Sequence, residues 1–357
     1  MASPPVQTRY PRRFWLDDGM GRWHNLAVQV QVPRHQVAIY LTEDSRMKKW
    51  FLLSLLICST IAFGQAASSS TPQDLSTLNG RPEPPMLGIH WARGFDPFAR
   101  VNEAHGQAGR KVKNPDMTYH GGKIMPTANT QAIFWGTSWA GYTGDEMTGM
   151  DSWYAGFGGS KYAQTSDEYT GTNGQVTAAT SHIAHLVDTS PASGGGSTSA
   201  ILAEVCKMVP SPDSTGNGYY AVYVDLPRGH AGYCAYHSVG TCNGQLVQFA
   251  FFWKLDGDAG CDPQSTVTGE SQGLAALANV SGHELSEART DPASPGAWYD
   301  SSGQENGDKC AWTFNVPYVT FSNRTQWKIQ GEWSNQAYNT GTGYPNSSGQ
   351  KGCLDGH

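Results

Sequence analysis

Residues 271–290 constrain the fold of this chain more than any other stretch, because one helical period runs through them and Asp291-Pro292 ends it. At about 100° per residue, Leu274, Leu277, Ala278, Ser281, Leu285 and Ala288 fall within one stripe about 100° wide. The residue before a proline is disfavoured in helical geometry, so the helix is expected to stop at Thr290. Three strand candidates precede it, 219–225, 232–237 and 246–255, each aromatic or β-branched and bounded by Gly, Pro or Asn. Further upstream, 131–139 reads as a strand, 149–163 includes a helix, and 199–209 carries Ile201, Leu202, Val205 and Met208 at helical spacing. Beyond the proline, 293–357 is turn-rich, with short strands expected around 311–315 and 327–333.

The other side of that helix carries the ionisable chemistry. His283 and Glu287 are one turn apart, with Cβ atoms roughly 5 to 6 Å from each other, close enough to share a metal ion. Glu284 stands where the pattern H-E-x-x-H keeps its general base, and Glu287 replaces the second histidine. An isolated pair of this kind is more often a solvated helix face. Here Gly273, Ala276 and Val280 share the pair's side in place of the Lys and Glu of a solvated face, and a dense carboxylate cluster follows.

A catalytic zinc takes three protein ligands and keeps one position for water, so a third ligand is sought among Asp291, Asp300, Glu305 and Asp308. Asp291 lies two turns from His283 and reaches the same ion only if the chain folds back at Pro292. Glu305 or Asp308, beyond a glycine-containing loop, is the preferred ligand, with the other orienting His283. Glu284 is then the group expected to accept a proton from metal-bound water. Zn2+ is the first expectation, and because one imidazole and two carboxylates make a harder site than usual for zinc, Ca2+ and Mn2+ are competitors. Strands followed by such a helix are the order found in zincin-type metallopeptidases. The expected fold class is therefore α+β: a zincin-like mixed sheet with an active-site-type helix, followed by a turn-rich, disulfide-containing C-terminal part.

The chain's start reads differently. Met47, Lys48 and Lys49 form a basic n-region, 50–63 an uncharged apolar h-region, and Gly64-Gln65-Ala66 supplies small residues at −3 and −1. That is a secretory signal peptide over 47–66, too short to span a membrane, where about 18 to 20 apolar residues are needed. Residues 1–46 show no sustained period and are expected to be a start-site artefact, with translation beginning at Met47. The exported chain then has 291 residues, with 16 Lys and Arg against 26 Asp and Glu. Without a basic run it is a poor nucleic-acid binder, since phosphate contacts need clustered cations. Residues 67–117, rich in Ser, Pro and Gly, read as a linker or extension, and the globular part is expected over 118–357, divided into 118–290 and 291–357.

Six cysteines remain after Cys58 leaves with the signal peptide: Cys206, Cys234, Cys242, Cys261, Cys310 and Cys353. An even set in an exported chain favours disulfides, and six allow 15 connectivities. Cys234 with Cys242 is a plausible local pair, and Cys310 with Cys353 is positioned to tie down the tail. No C-x-x-C and no G-x-S-x-G occurs, which argues against a zinc knuckle and a serine hydrolase. His182 and His185, three apart, read as surface histidines before they read as helical ligands. His120, His230 and His237 have no carboxylate partner recognisable in sequence.

Several segments, taken in order, resemble the phosphate-induced, exordium-like family of secreted proteins. They are Tyr119-His120-Gly121-Gly122 before Phe134-Trp135-Gly136, then Gly232-Tyr233-Cys234-Ala235-Tyr236-His237, then Thr290-Asp291-Pro292 leading to Ala297-Trp298-Tyr299-Asp300 and Glu305-Asn306-Gly307-Asp308-Lys309-Cys310. The resemblance covers 118–357 and implies an extracellular or wall-associated protein with disulfides. It implies no settled activity, and the growth regulation linked to plant members is not carried over. Several plant members lack the His-Glu pair, so His283, Glu284 and Glu287 read as an addition in bacterial-type members. Two function classes follow. One is an exported metallohydrolase, peptidase-like, acting on peptide or cell-wall material; the other is a non-catalytic extracellular or wall-binding protein with a structural ion or none.

Overall fold

The computed structural model describes strands Arg12–Asp17 and Trp23–Val28, residues 83–95 and 97, and 115–357 apart from 268 and 294. The chain divides into two units, Met1–Ser70 and Thr71–His357. In the first, Arg12–Asp17 and Trp23–Val28 pair as an antiparallel hairpin. The expected signal peptide over 47–66 lies outside the described residues.

The second unit is built on a six-stranded mixed sheet. Its strands are β1 (Leu87–Trp91), β2 (Ala128–Trp135), β3 (Thr180–Asp188), β4 (Gly218–Pro227), β5 (Tyr233–Cys242) and β6 (Gln245–Lys254). Their spatial order is β1-β5-β6-β4-β2-β3. The β6, β4, β2 and β3 strands run parallel, while β5 is antiparallel to both β6 and β1. Residues on successive sides of a strand face opposite layers, and β4 shows both faces buried. Tyr219, Ala221 and Tyr223 enter one core; Tyr220, Val222 and Val224 enter the other.

Three helices cover these faces: α1 (Glu146–Phe157), α2 (Thr198–Met208) and α3 (Gln272–Thr290). Ile201 and Val205 of α2 join the second core, while Met150 and Trp153 of α1 and Leu274, Leu277 and Leu285 of α3 join the first. Each such leucine contributes roughly 1.5 to 3 kcal/mol through burial. The α3 boundaries agree with the sequence reading: Ser271 caps it, its hydroxyl accepting from Leu274 N at 3.1 Å, and Asp291 ends it. At its end the buried Arg289 donates to the carbonyls of Ala163 (3.1 Å) and Thr177 (2.7 Å), which replaces the water a guanidinium loses.

Several expectations are corrected. Residues 182 and 185 lie on strand β3, not on a helix, and both rings reach Asp151 of α1. No strand forms at 311–315; the short C-terminal strands are Val319–Thr320, Gln326–Trp327, Glu332–Trp333, Tyr344–Pro345 and Lys351–Leu354. Within the expected extension 67–117, Leu87–Trp91 is a sheet edge strand bound to β5. The disulfides are Cys206–Cys242, Cys234–Cys261 and Cys310–Cys353, so the local pairing of Cys234 with Cys242 is replaced while the tail clasp forms. Closing loops of 36, 27 and 43 residues, each limits the unfolded chain by roughly 3 to 4 kcal/mol. Three disulfides indicate an oxidising, extracellular-type environment. Among the described residues no helix is long and apolar enough to cross a membrane.

Candidate metal centre

Helix α3 has no solvated face. Every residue from Gly273 to Thr290 is buried, so the side carrying His283 and Glu287 opens onto no cleft, contrary to the sequence expectation. It is covered by β1 and β5 on one side and by the C-terminal part on the other. His90 of β1 stacks on His283 with ring centroids 4.1 Å apart and planes 7° from parallel, and Trp312 closes the far side of His90 at 4.5 Å. Gly88, at φ +43°, brings the β1 backbone so close that a Cβ there would overlap Glu287 Oε2 and the ring of His237. Only glycine satisfies both the left-handed backbone and this approach.

Two sets of three potential ligands meet here, and both include Glu287. One joins His283, Glu287 and Asp308; the other joins His237, Glu287 and Glu305. The structure therefore separates the two candidates for a third ligand. Asp308 Oδ1 lies 3.7 Å from His283 Nε2, whereas Glu305 Oε2 lies 3.3 Å from His237 Nε2. Asp291 and Asp300 are occupied elsewhere: Asp291 accepts from Ala297 N, and Asp300 pairs with Lys309 Nζ at 2.9 Å. His237 had no partner visible in sequence because Glu305 is 68 residues away. A signal did exist: on β5 it follows Ala235 at the two-residue period of a core-facing side, an unusual place for an imidazole.

The geometry between His283 and Glu287 discriminates between an ion pair and a ligand pair. Nε2 and Oε2 stand 3.1 Å apart, yet neither atom makes a hydrogen bond, and both residues are fully buried. Donors that share a tetrahedral ion at about 2.0 to 2.3 Å lie roughly 3.3 to 3.8 Å from each other, and closer in octahedral geometry. The other Glu287 oxygen is fixed, accepting from Asp308 N at 2.9 Å. Gly307, where a Cβ would come within 2.8 Å of His283 Nδ1 and 2.9 Å of Glu287 Oε1, lets that loop reach the helix. Gln330 supports the ring from behind: its Nε2 lies 3.1 Å from His283 Nδ1 and donates to Gly307 O at 2.9 Å, while its Oε1 accepts from Trp312 N at 3.2 Å.

Burial disfavours charge on His237, His283, Glu284, Glu287 and Glu305 in the absence of a cation. It pushes His283 and His237 down to about 3, with the neighbouring His283 lowering His237 further. It pushes Glu287 up to about 8 against the opposing backbone N–H bonds of Asp308 and Gly307. Glu284 and Glu305 are driven well above the carboxylate range by burial first and by the neighbouring acids second. Against this the backbone N–H of His90 favours a charged Glu284, and that charge also acts on Tyr154, Tyr219 and Tyr236. A divalent ion inverts this local preference by favouring the ionised carboxylates and neutral imidazoles it binds. The orphaned buried donors and the mix of nitrogen and oxygen ligands fit such an ion. Comparison with protein-family models, with curated proteins and with solved structures finds no match to this chain.

Proposed function

We propose that the protein is an exported, exordium-like metalloprotein in which His283, Glu287 and Asp308 hold a divalent ion that ties α3 to the C-terminal part. The observation that carries this reading is the 3.1 Å approach of His283 Nε2 to Glu287 Oε2, with both atoms buried and unpartnered. Leaving such groups unsatisfied costs about 1 to 3 kcal/mol each, and coordination removes that penalty. The family reading is supported by the way the resembling segments meet: Thr118–Tyr119 pairs with Trp298–Tyr299, and Cys310 is bonded to Cys353. Zn2+ suits the site best, and Ca2+ is disfavoured because it takes six to eight oxygens and the ligand set includes imidazole.

The closed geometry favours a structural ion. A catalytic zinc keeps one position open to water and substrate. Here His283 and Glu287 are fully buried, and Asp308, with 10% of its side chain exposed, is the most accessible member of the set. A zincin-like hydrolase is the second reading, favoured by Glu284, a buried carboxylate with no cation beside it, one residue from the proposed ligand. Metal analysis of the purified protein tests the first reading, with Zn2+ expected in wild type and a loss of bound metal expected in His283→Ala. A metal-free, fully folded wild type sinks it. Cleavage of a broad peptide library that is lost in Glu284→Gln, with metal retained, would instead establish the hydrolase.

A further inference from the structure

We infer that the centre takes two divalent ions, bridged by Glu287, with His283 and Asp308 holding one and His237 and Glu305 the other. This rests on the reading of the centre as a metal site and extends it to a second ion position. Within each set of three, the ligand atoms lie within 4.8 Å of one another, and the two histidines fall in different sets joined through Glu287. Donors on a single ion with bonds of about 2.0 to 2.3 Å stand at most about 4.6 Å apart. The five side chains therefore divide naturally between two positions that share one carboxylate. Glu287 Oε2 suits the bridging role, since it approaches His283 Nε2 at 3.1 Å and is free of hydrogen bonds. The tight passage at Gly88 brings the same oxygen and the His237 ring against one point of the β1 backbone.

Charge supports the second ion independently. Among the described residues, no lysine or arginine forms an ion pair with Glu284, Glu287 or Glu305, all of which are buried. The nearby cations are engaged elsewhere, Lys309 with Asp300 and Arg289 with backbone carbonyls. A single divalent ion balances two carboxylates, whereas Glu284, Glu287, Glu305 and Asp308 together carry four negative charges when ionised. Buried charge without a counter-ion is strongly disfavoured, and a second divalent ion offsets two more of these charges.

Titration of the metal-free full chain with Zn2+ and with Co2+ tests this, read by bound metal per chain and by magnetic coupling between Co2+ ions. Two ions per wild-type chain are expected, with coupled Co2+ signals. His237→Gln and His283→Gln should each retain one ion without coupling, and Glu287→Gln should weaken both sites and abolish coupling. One ion in wild type, whether or not His237→Gln retains it, overturns the two-ion centre and leaves the single-ion reading standing. No ion in wild type overturns both. Near-UV circular dichroism checks each variant's fold, and if a variant fails to fold, the coupling in wild type decides the question alone.

Discussion

Two clusters in this molecule pair histidines with acidic side chains, and they differ in whether the polar atoms find partners. On β3 and α1, His182 Nε2 meets Asp151 Oδ1 at 2.8 Å, His185 Nδ1 meets Asp151 Oδ2 at 2.6 Å, and His182 Nδ1 meets Thr130 Oγ1 at 3.0 Å. That cluster is complete as a hydrogen-bond network and lies partly in solvent, with 27% of the Asp151 side chain exposed. In the α3 centre His283 Nε2 and Glu287 Oε2 approach to 3.1 Å, yet both atoms are buried without a hydrogen bond. Closeness alone therefore does not distinguish a metal site from a structural ion pair. Saturation does, because native proteins rarely bury polar atoms that nothing satisfies.

The largest effect expected from this contrast is that of removing metal. Binding to the folded state alone stabilises by about 4 kcal/mol when free ion is a thousandfold above its dissociation constant. For a unit of this size that is roughly 7 °C in melting temperature. Chelation should lower the melting temperature of wild type by that amount and lower that of His283→Ala by less, since the set of His237, Glu287 and Glu305 is left intact in that variant. Acid should act in the same direction, since the ligands must lose protons to bind. A wild type whose melting is indifferent to chelator would erase the difference between the two clusters.

A smaller effect sharpens the centre itself. Gln330 is placed with its amide nitrogen toward His283 Nδ1, which leaves the ring proton on Nε2. A metal on Nε2 needs that proton on Nδ1, where metal-bound histidines donate to a nearby acceptor. Loading should therefore turn the Gln330 amide so that its oxygen faces the ring, which gives up its bonds to Gly307 O and Trp312 N. Gln330→Leu cannot make that acceptor and should weaken Zn2+ binding 10- to 100-fold in competition with a chelating dye. Unchanged affinity would show that Gln330 only packs against the ring.

How much of this was legible in the sequence follows the range of each signal. Helix α3 could be read almost to the residue, because its cap at Ser271, its period and its proline stop are all local. The pairing of His283 with Glu287 is local too, being one helical turn. Strand β1 was missed because Leu-Gly-Ile-His-Trp is short, interrupted by a glycine at positive φ, and set among Pro and Ser. Its register on β5 also shifts twice in five residues, so no clean alternation marks it. His237 and the burial of the ligand face depend on which distant segments cover α3, and the Cys206–Cys242 bond depends on how α2 packs on β5. The spacing of His182 and His185 fits one face of a helix and not a regular strand, and both rings reach Asp151 because the pairing of β3 with β2 shifts register between Ile183 and Leu186.

The smallest effect belongs to the satisfied cluster. Asp151→Ala removes an acceptor from two imidazoles and from the backbone N–H of His185, which donates to Asp151 Oδ1 at 3.1 Å. Net hydrogen-bond contributions are about 1 kcal/mol, and the partial exposure of Asp151 lets water replace part of the loss. A destabilisation of about 1 to 2 kcal/mol is therefore expected in denaturant titration, with metal content unchanged. His182→Ala should behave in the same way. Loss of metal in either variant would mean that β3 and α1 feed into the centre through the sheet, and that a complete hydrogen-bond network does not mark a cluster as independent of the ion.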